Sequence, residues 1–80
     1  MSKKYVLYQF PECPFCQLVL REIEKLEIEI PVKNTRLDST AKQELIDLTG
    51  RTQVPCLVID GEPMLESMDI VSYLRQEHSK

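Results

Sequence analysis

Apolar and polar residues recur at two different periods along this chain, and the switches between them mark out seven elements. Tyr5 to Phe10 is a short β-prone run closed by Pro11, which predicts a buried strand. From Pro14 to about Glu27 the apolar residues Phe15, Leu18, Val19, Ile23 and Leu26 fall at helical spacing, with Arg21, Glu22, Glu24 and Lys25 on the opposite, solvated face. Pro14 suits the first turn of that helix, where a missing N–H costs nothing. Ile28 to Asn34 alternates as a strand, and Pro31 inside it predicts an edge position, because proline cannot donate to a ladder. Asp38 or Ser39 caps a second helix running to about Leu48, and Gly50 stops it.

Pro55 to Ile59 holds four apolar residues in a row, Cys56 to Ile59, the mark of a central strand covered on both faces. Asp60-Gly61 is a two-residue hairpin turn, since both residues tolerate positive φ. It predicts a fourth strand, Pro63 to Glu66, antiparallel to the third. Ser67 then caps a last helix, with Asp69 in its first turn and Ile70, Val71 and Leu74 facing inward. The first half needs a parallel crossover and the hairpin makes the sheet mixed. The prediction is α/β: a single domain over residues 1–80, with a four-stranded mixed sheet and three helices in the order βαβαββα.

Composition narrows the class without changing this outline. Eighty residues bury one modest core, and 42% hydrophobic with 29% charged residues fits a folded globular chain rather than a disordered or membrane-spanning one. The net charge of −3 and the lack of any basic run longer than Lys3-Lys4 exclude a nucleic-acid footprint. The apolar run after Lys3-Lys4 is too short for a secretory signal, and Gln9 interrupts it, so a cytoplasmic location is expected. Three cysteines cannot all pair within one chain, and in a reducing compartment a lone CxxC is more often catalytic or metal-binding than a staple.

That CxxC is Cys13-Pro14-Phe15-Cys16, directly after the first strand and at the opening of the first helix. Helix-start amides and the helix dipole favour an anion, so a thiol there is placed to react as thiolate. The second thiol, one turn on, can attack a mixed disulfide formed at the first. CxxC beside a βαβ pattern is a signal for a thioredoxin-like fold. A structural zinc site would want four ligands, and neither a second CxxC nor a histidine pair exists; His78 is the only histidine and stands in a charged tail. Cys56, inside an apolar strand, reads as core filling. Met64 and Met68 read as packing.

Three stretches, Cys13-Pro14-Phe15-Cys16, Thr52-Gln53-Val54-Pro55 and Glu66-Ser67-Met68-Asp69-Ile70-Val71, together resemble glutaredoxins. The third looks most like the subgroup related to the N-terminal, thioredoxin-like domains of glutathione transferases. The resemblance implies a glutathione-dependent thiol–disulfide oxidoreductase. Cys13 would be the nucleophile, Cys16 the resolving thiol and Pro55 a cis-proline facing them. Val54 would offer its backbone to the cysteinyl part of glutathione, Phe15 would wall the site, and Glu66 and Ser67 would hold the γ-glutamyl end. Lys42, Gln43 and Arg51 are candidates for the glycyl carboxylate.

Phe15 replaces a usual tyrosine, and Glu12 stands where relatives often carry a non-acidic residue. A carboxylate there works against a neighbouring thiolate and repels the glycyl carboxylate. Expected partners are glutathione as co-substrate and glutathionylated or disulfide-bonded proteins, acting on a monomer with no resident metal, nucleic acid or membrane. Two alternatives remain open on these residues. One is a glutathione-anchored iron–sulfur module sharing Cys13 between two chains; the other is a thioredoxin-type protein disulfide reductase.

Overall fold

The computed structural model describes residues 4–78. Its elements run β1 (Tyr5–Gln9), α1 (Pro14–Lys25), β2 (Val32–Asn34), α2 (Ser39–Thr49), β3 (Cys56–Ile59), β4 (Glu62–Met64) and α3 (Ser67–His78). The strands form one sheet in the order β2-β1-β3-β4. β1 pairs with β2 in parallel, Leu7 opposite Val32, and antiparallel with β3, Leu7 opposite Leu57. β3 and β4 are the antiparallel hairpin. This is the thioredoxin-like mixed sheet expected from the residue pattern.

Strand alternation separates two cores. Leu7 and Leu57 face α1 and α3, where they are buried with Val19, Ile23, Ile30, Ile70, Val71 and Leu74. Tyr8 and Cys56 face α2 and are buried with Ala41 and Leu45. β3 thus contributes to both faces, as its continuous apolarity predicts. Tyr8 also donates its hydroxyl to Glu44, 3.1 Å away, and Glu44 pairs with Lys33 at 2.7 Å.

The element ends differ from expectation for local reasons. α1 stops at Lys25, because Glu27 takes φ 57° and the chain closes in a Schellman turn, Glu27 N–H to Glu24 O (3.1 Å) and Ile28 N–H to Ile23 O (3.3 Å). A glutamate in the left-handed position gives no glycine signal to read. β2 begins at Val32, so Pro31 stands just before the strand; its carbonyl still accepts Leu7 N–H at 2.9 Å. The hairpin turn has φ 49° at Asp60 and 88° at Gly61, both positive as a type I′ turn requires, and places β4 at Glu62–Met64, earlier than Pro63–Glu66.

Asp38 is the α2 cap, accepting from Thr40 N–H (2.9 Å) and Ala41 N–H (3.3 Å), and Gly50 closes that helix at φ 75°. Ser67 is the first residue of α3 rather than its cap. Glu66 supplies the carbonyl that receives Ile70 N–H at 2.9 Å.

Three burial expectations change. Glu22, read as part of a solvated face, is buried, with Arg75 of α3 donating to it at 3.0 Å. Leu18 and Met68 are exposed rather than packed, whereas Met64 packs against the core as expected. His78 is tied to the body of the domain through its Nε2, 3.2 Å from the Tyr5 hydroxyl.

Candidate active site

Everything chemical gathers at the end of the sheet where β1 finishes and α1 begins. A turn closed by Cys13 N–H on Phe10 O (3.2 Å) carries the chain from β1 into the helix, and Gln17 Nε2 donates to Pro11 O at 2.7 Å across it. Cys13 is the N-cap residue of α1, with φ −83° and ψ 118°. Pro14 at N1 has no N–H and Gln17 N–H closes onto Cys13 O at 3.2 Å. The amides of Phe15 and Cys16 are therefore the first-turn donors without an intrahelical partner. Cys13 occupies the N-cap position without a side-chain hydrogen bond to them, and no acidic side chain occupies that turn.

Cys13 is half-buried and Cys16 is fully buried. Burial, with the Cys13 thiol facing it, pushes the Cys16 thiol up to about 12, while the Phe10 backbone works in the opposite direction. Cys56 is also fully buried, and burial pushes it up to about 11. It lies in the α2-side core, whereas Cys16 belongs to the buried face of α1 with Val19 and Ile23. Cys56 is thus core filling.

The Val54–Pro55 peptide bond is cis, in the loop entering β3. That loop meets the dithiol directly: Cys13 Sγ donates to Val54 O at 3.9 Å. Beside this contact a groove of about 300 Å³ is lined by Phe15, Gln53, Val54, Pro55, Leu65, Glu66 and Ser67. All five residues expected to line a ligand seat therefore border one groove, although they come from three separate stretches. Phe15 is 60% exposed, which makes it a rim residue and not core.

Two lining residues were not expected. Gln53 fastens the cis-proline loop to the segment before α3 by donating to Leu65 O at 3.4 Å, and a lone amide in a loop carries no pattern by which to find it. Leu65 packs partly into the α2-side core while walling the groove.

A second cavity, about 460 Å³, lies between Phe10, Thr35, Arg36, Leu37, Ser39, Lys42 and Thr52. Of the three candidate cations or donors, only Lys42 reaches it. Gln43 donates to Asp47 (2.9 Å) along its own helix, and Arg51 turns to Gln53 at 3.5 Å. Arg36 is the cation missed: its guanidinium lies 4.6 Å over the Phe10 ring and 3.6 Å from Glu12 Oε1. It stands in the loop after β2, where no periodicity points to it. The groove beside Cys13 thus carries the carboxylate of Glu66, and the second cavity the cations Arg36 and Lys42. Among the described residues no group of three or more His, Cys, Asp or Glu side chains could hold a metal ion.

A mixed sheet, a CxxC at a helix N-terminus and a cis-proline loop in contact with it define a thioredoxin-like domain. The chain belongs to the glutathione S-transferase N-terminal domain family, whose sequence model matches residues 7–80. Its structure is similar to that of a glutathione transferase homolog from Drosophila mojavensis with bound glutathione (TM-score 0.84, 21% identity), covering 99% of this chain and 37% of that one. A delta-class glutathione transferase from Nilaparvata lugens superposes with a TM-score of 0.80 at 29% identity, covering 95% of this chain and 37% of that one. A thioredoxin-like protein superposes with a TM-score of 0.79 at 25% identity, covering 94% of each chain. The chain spans little more than a third of the length of the transferases it matches. No curated protein matches it. Among the described residues no helix is long and apolar enough to cross a membrane.

Proposed function

We propose that the protein is a glutathione-dependent thiol–disulfide oxidoreductase. The observation that carries this reading is the contact of Cys13 Sγ with Val54 O beside the groove bordered by Glu66 and Ser67. An extended tripeptide with an ammonium at one end and a carboxylate at the other matches the charge of the site. The γ-glutamyl end meets Glu66 and the α3 amides, because a helix start receives a carboxylate. The glycyl carboxylate meets Lys42 and Arg36. The Val54 carbonyl lies beside the sulfur.

In the reaction, Cys13 thiolate attacks the glutathionyl sulfur of a mixed disulfide. The old S–S bond breaks, the substrate leaves as thiolate and takes a proton from water, and glutathione stays on Cys13. A second glutathione thiolate then attacks the bound glutathionyl sulfur, releasing glutathione disulfide and Cys13 thiolate. In the two-thiol route Cys16 displaces glutathione instead, forming a Cys13–Cys16 disulfide that two further thiols must reduce. Exchange rate follows the thiolate fraction of the attacking group. With Cys16 fully buried and pushed up to about 12, the one-thiol route is favoured.

The test is turnover of a glutathionylated peptide with glutathione as reductant. Cys13→Ser is expected to abolish it and Cys16→Ser to retain it. Full activity in Cys13→Ser overturns the assignment. Turnover that needs a thioredoxin reductase, with no heat of glutathione binding, would transfer the assignment to a thioredoxin-type reductase.

A further inference from the structure

We infer that Glu12 is a selectivity residue of this site, a carboxylate of the chain's own that disfavours ligands ending in a free carboxylate relative to those whose chain continues as an ester or amide. The inference rests on the glutathione reading above. It starts from the cavity of about 460 Å³ that contains two cations, Arg36 and Lys42. Phe10 lines that cavity and belongs to the turn closed by Cys13 N–H; Thr52 lines it and leads into the cis-proline loop. A peptide with its sulfur at Cys13 that runs from Glu66 past Val54 therefore arrives there with its C-terminal end.

Arg36 is held on two sides before any ligand comes. Phe10 lies under its guanidinium at 4.6 Å, and Glu12 Oε1 stands 3.6 Å from it. That separation makes an ion pair with no short hydrogen bond, so the N–H fork remains open to a ligand while its charge is matched. Of the other charged groups nearby, Asp38 is committed to the α2 amides of Thr40 and Ala41. Glu12 is thus the carboxylate set against Arg36, and by that pairing it offsets one of the two charges a ligand carboxylate would meet. Both partners of the pair are more than half exposed, so solvent keeps the effect small, about two- to fivefold in affinity.

The experiment uses two unreactive probes, S-methylglutathione and its glycyl monoethyl ester, titrated calorimetrically into the reduced wild-type protein and Glu12→Gln at low salt. Glu12→Gln is expected to bind the free acid about two- to fivefold more tightly and the ester as wild type does. The gain should disappear at roughly 1 M salt, where the screening length is about 3 Å. Adding Arg36→Gln to Glu12→Gln should remove it as well. An equal change for acid and ester, or no change for either, overturns the role of Glu12 and leaves the glutathione reading standing. Failure of wild type and variant to bind either probe overturns both.

Discussion

Iodoacetamide applied to the reduced, native protein at pH 7 is expected to label Cys13 and leave Cys16 and Cys56 unmodified. The reagent reacts with thiolate, and an ordinary thiol titrating at about 8.5 is about 3% ionised at pH 7. Cys16, pushed up to about 12, is ionised to about one part in 100,000, and Cys56, at about 11, to about one part in 10,000. That places them roughly 3,000-fold and 300-fold below an ordinary thiol before access is counted. Both are fully buried, so access slows them further. Peptide mass spectrometry of a timed, quenched reaction gives the three rates separately, and a denatured control should label all three cysteines. Native labelling of Cys16 within about tenfold of Cys13 would refute the argument that burial controls this dithiol.

The same burial gives stability a pH sign. The folded-state values lie above the unfolded value of about 8.5, so above that pH the folded chain keeps protons that the unfolded chain has lost. Stability is whole below about pH 8.5 and falls as pH rises beyond it, by up to about 1.4 kcal/mol per pH unit for each thiol. A melting temperature unchanged between about pH 8 and pH 10 would contradict this.

Asp38→Ala removes the acceptor for two α2 amides and should cost about 1 kcal/mol, read by circular dichroism as a fall of about 4–8 °C in melting temperature. An unchanged melting temperature would show that the cap contributes nothing. The Arg75 hydrogen bond holds the Glu22 carboxyl below its usual 4.5, so that contribution is present at neutral pH and is lost as pH falls through the lowered value. Arg75→Gln should therefore melt lower at pH 7 and show a shallower acid-side decline than wild type. Parallel acid limbs for the two proteins would rule the pair out as a source of acid sensitivity.

Much of the fold was legible because short-range rules govern it. A β-prone run, an alternating stretch, a continuous apolar stretch and a hairpin turn located the strands, 3.6-residue spacing located the first helix, and Asp38, Gly50 and Asp60-Gly61 announced their caps and turn through a short acidic acceptor and tolerance of positive φ. The misplaced ends are those where no residue type carries the signal. Glu27 adopts the left-handed conformation that glycine or asparagine usually marks, and β4 ends at Met64, where its antiparallel pairing with β3 runs out opposite Leu57, rather than where apolar residues run out. The exposure of Phe15 and Leu18 could not be read from helical spacing either. Both lie on the apolar stripe of α1, but the sheet and α3 cover only the part containing Cys16, Val19 and Ile23.

The site divides in the same way. Cys13-Pro14-Phe15-Cys16 determined by itself that a cysteine would stand at the start of a helix, because the spacing and Pro14 are local facts. Only the tertiary structure decided what faces that thiol. The β1–β3 pairing brings the cis-proline loop within 3.9 Å of Cys13, and the α2-side loop delivers Arg36 to Glu12. It also decided that Cys16 and Cys56, alike as residues, lie on opposite sides of the sheet. The physical reason is that charge, burial and reach are properties of neighbours in space, and the packing of the sheet between its helices chooses those neighbours.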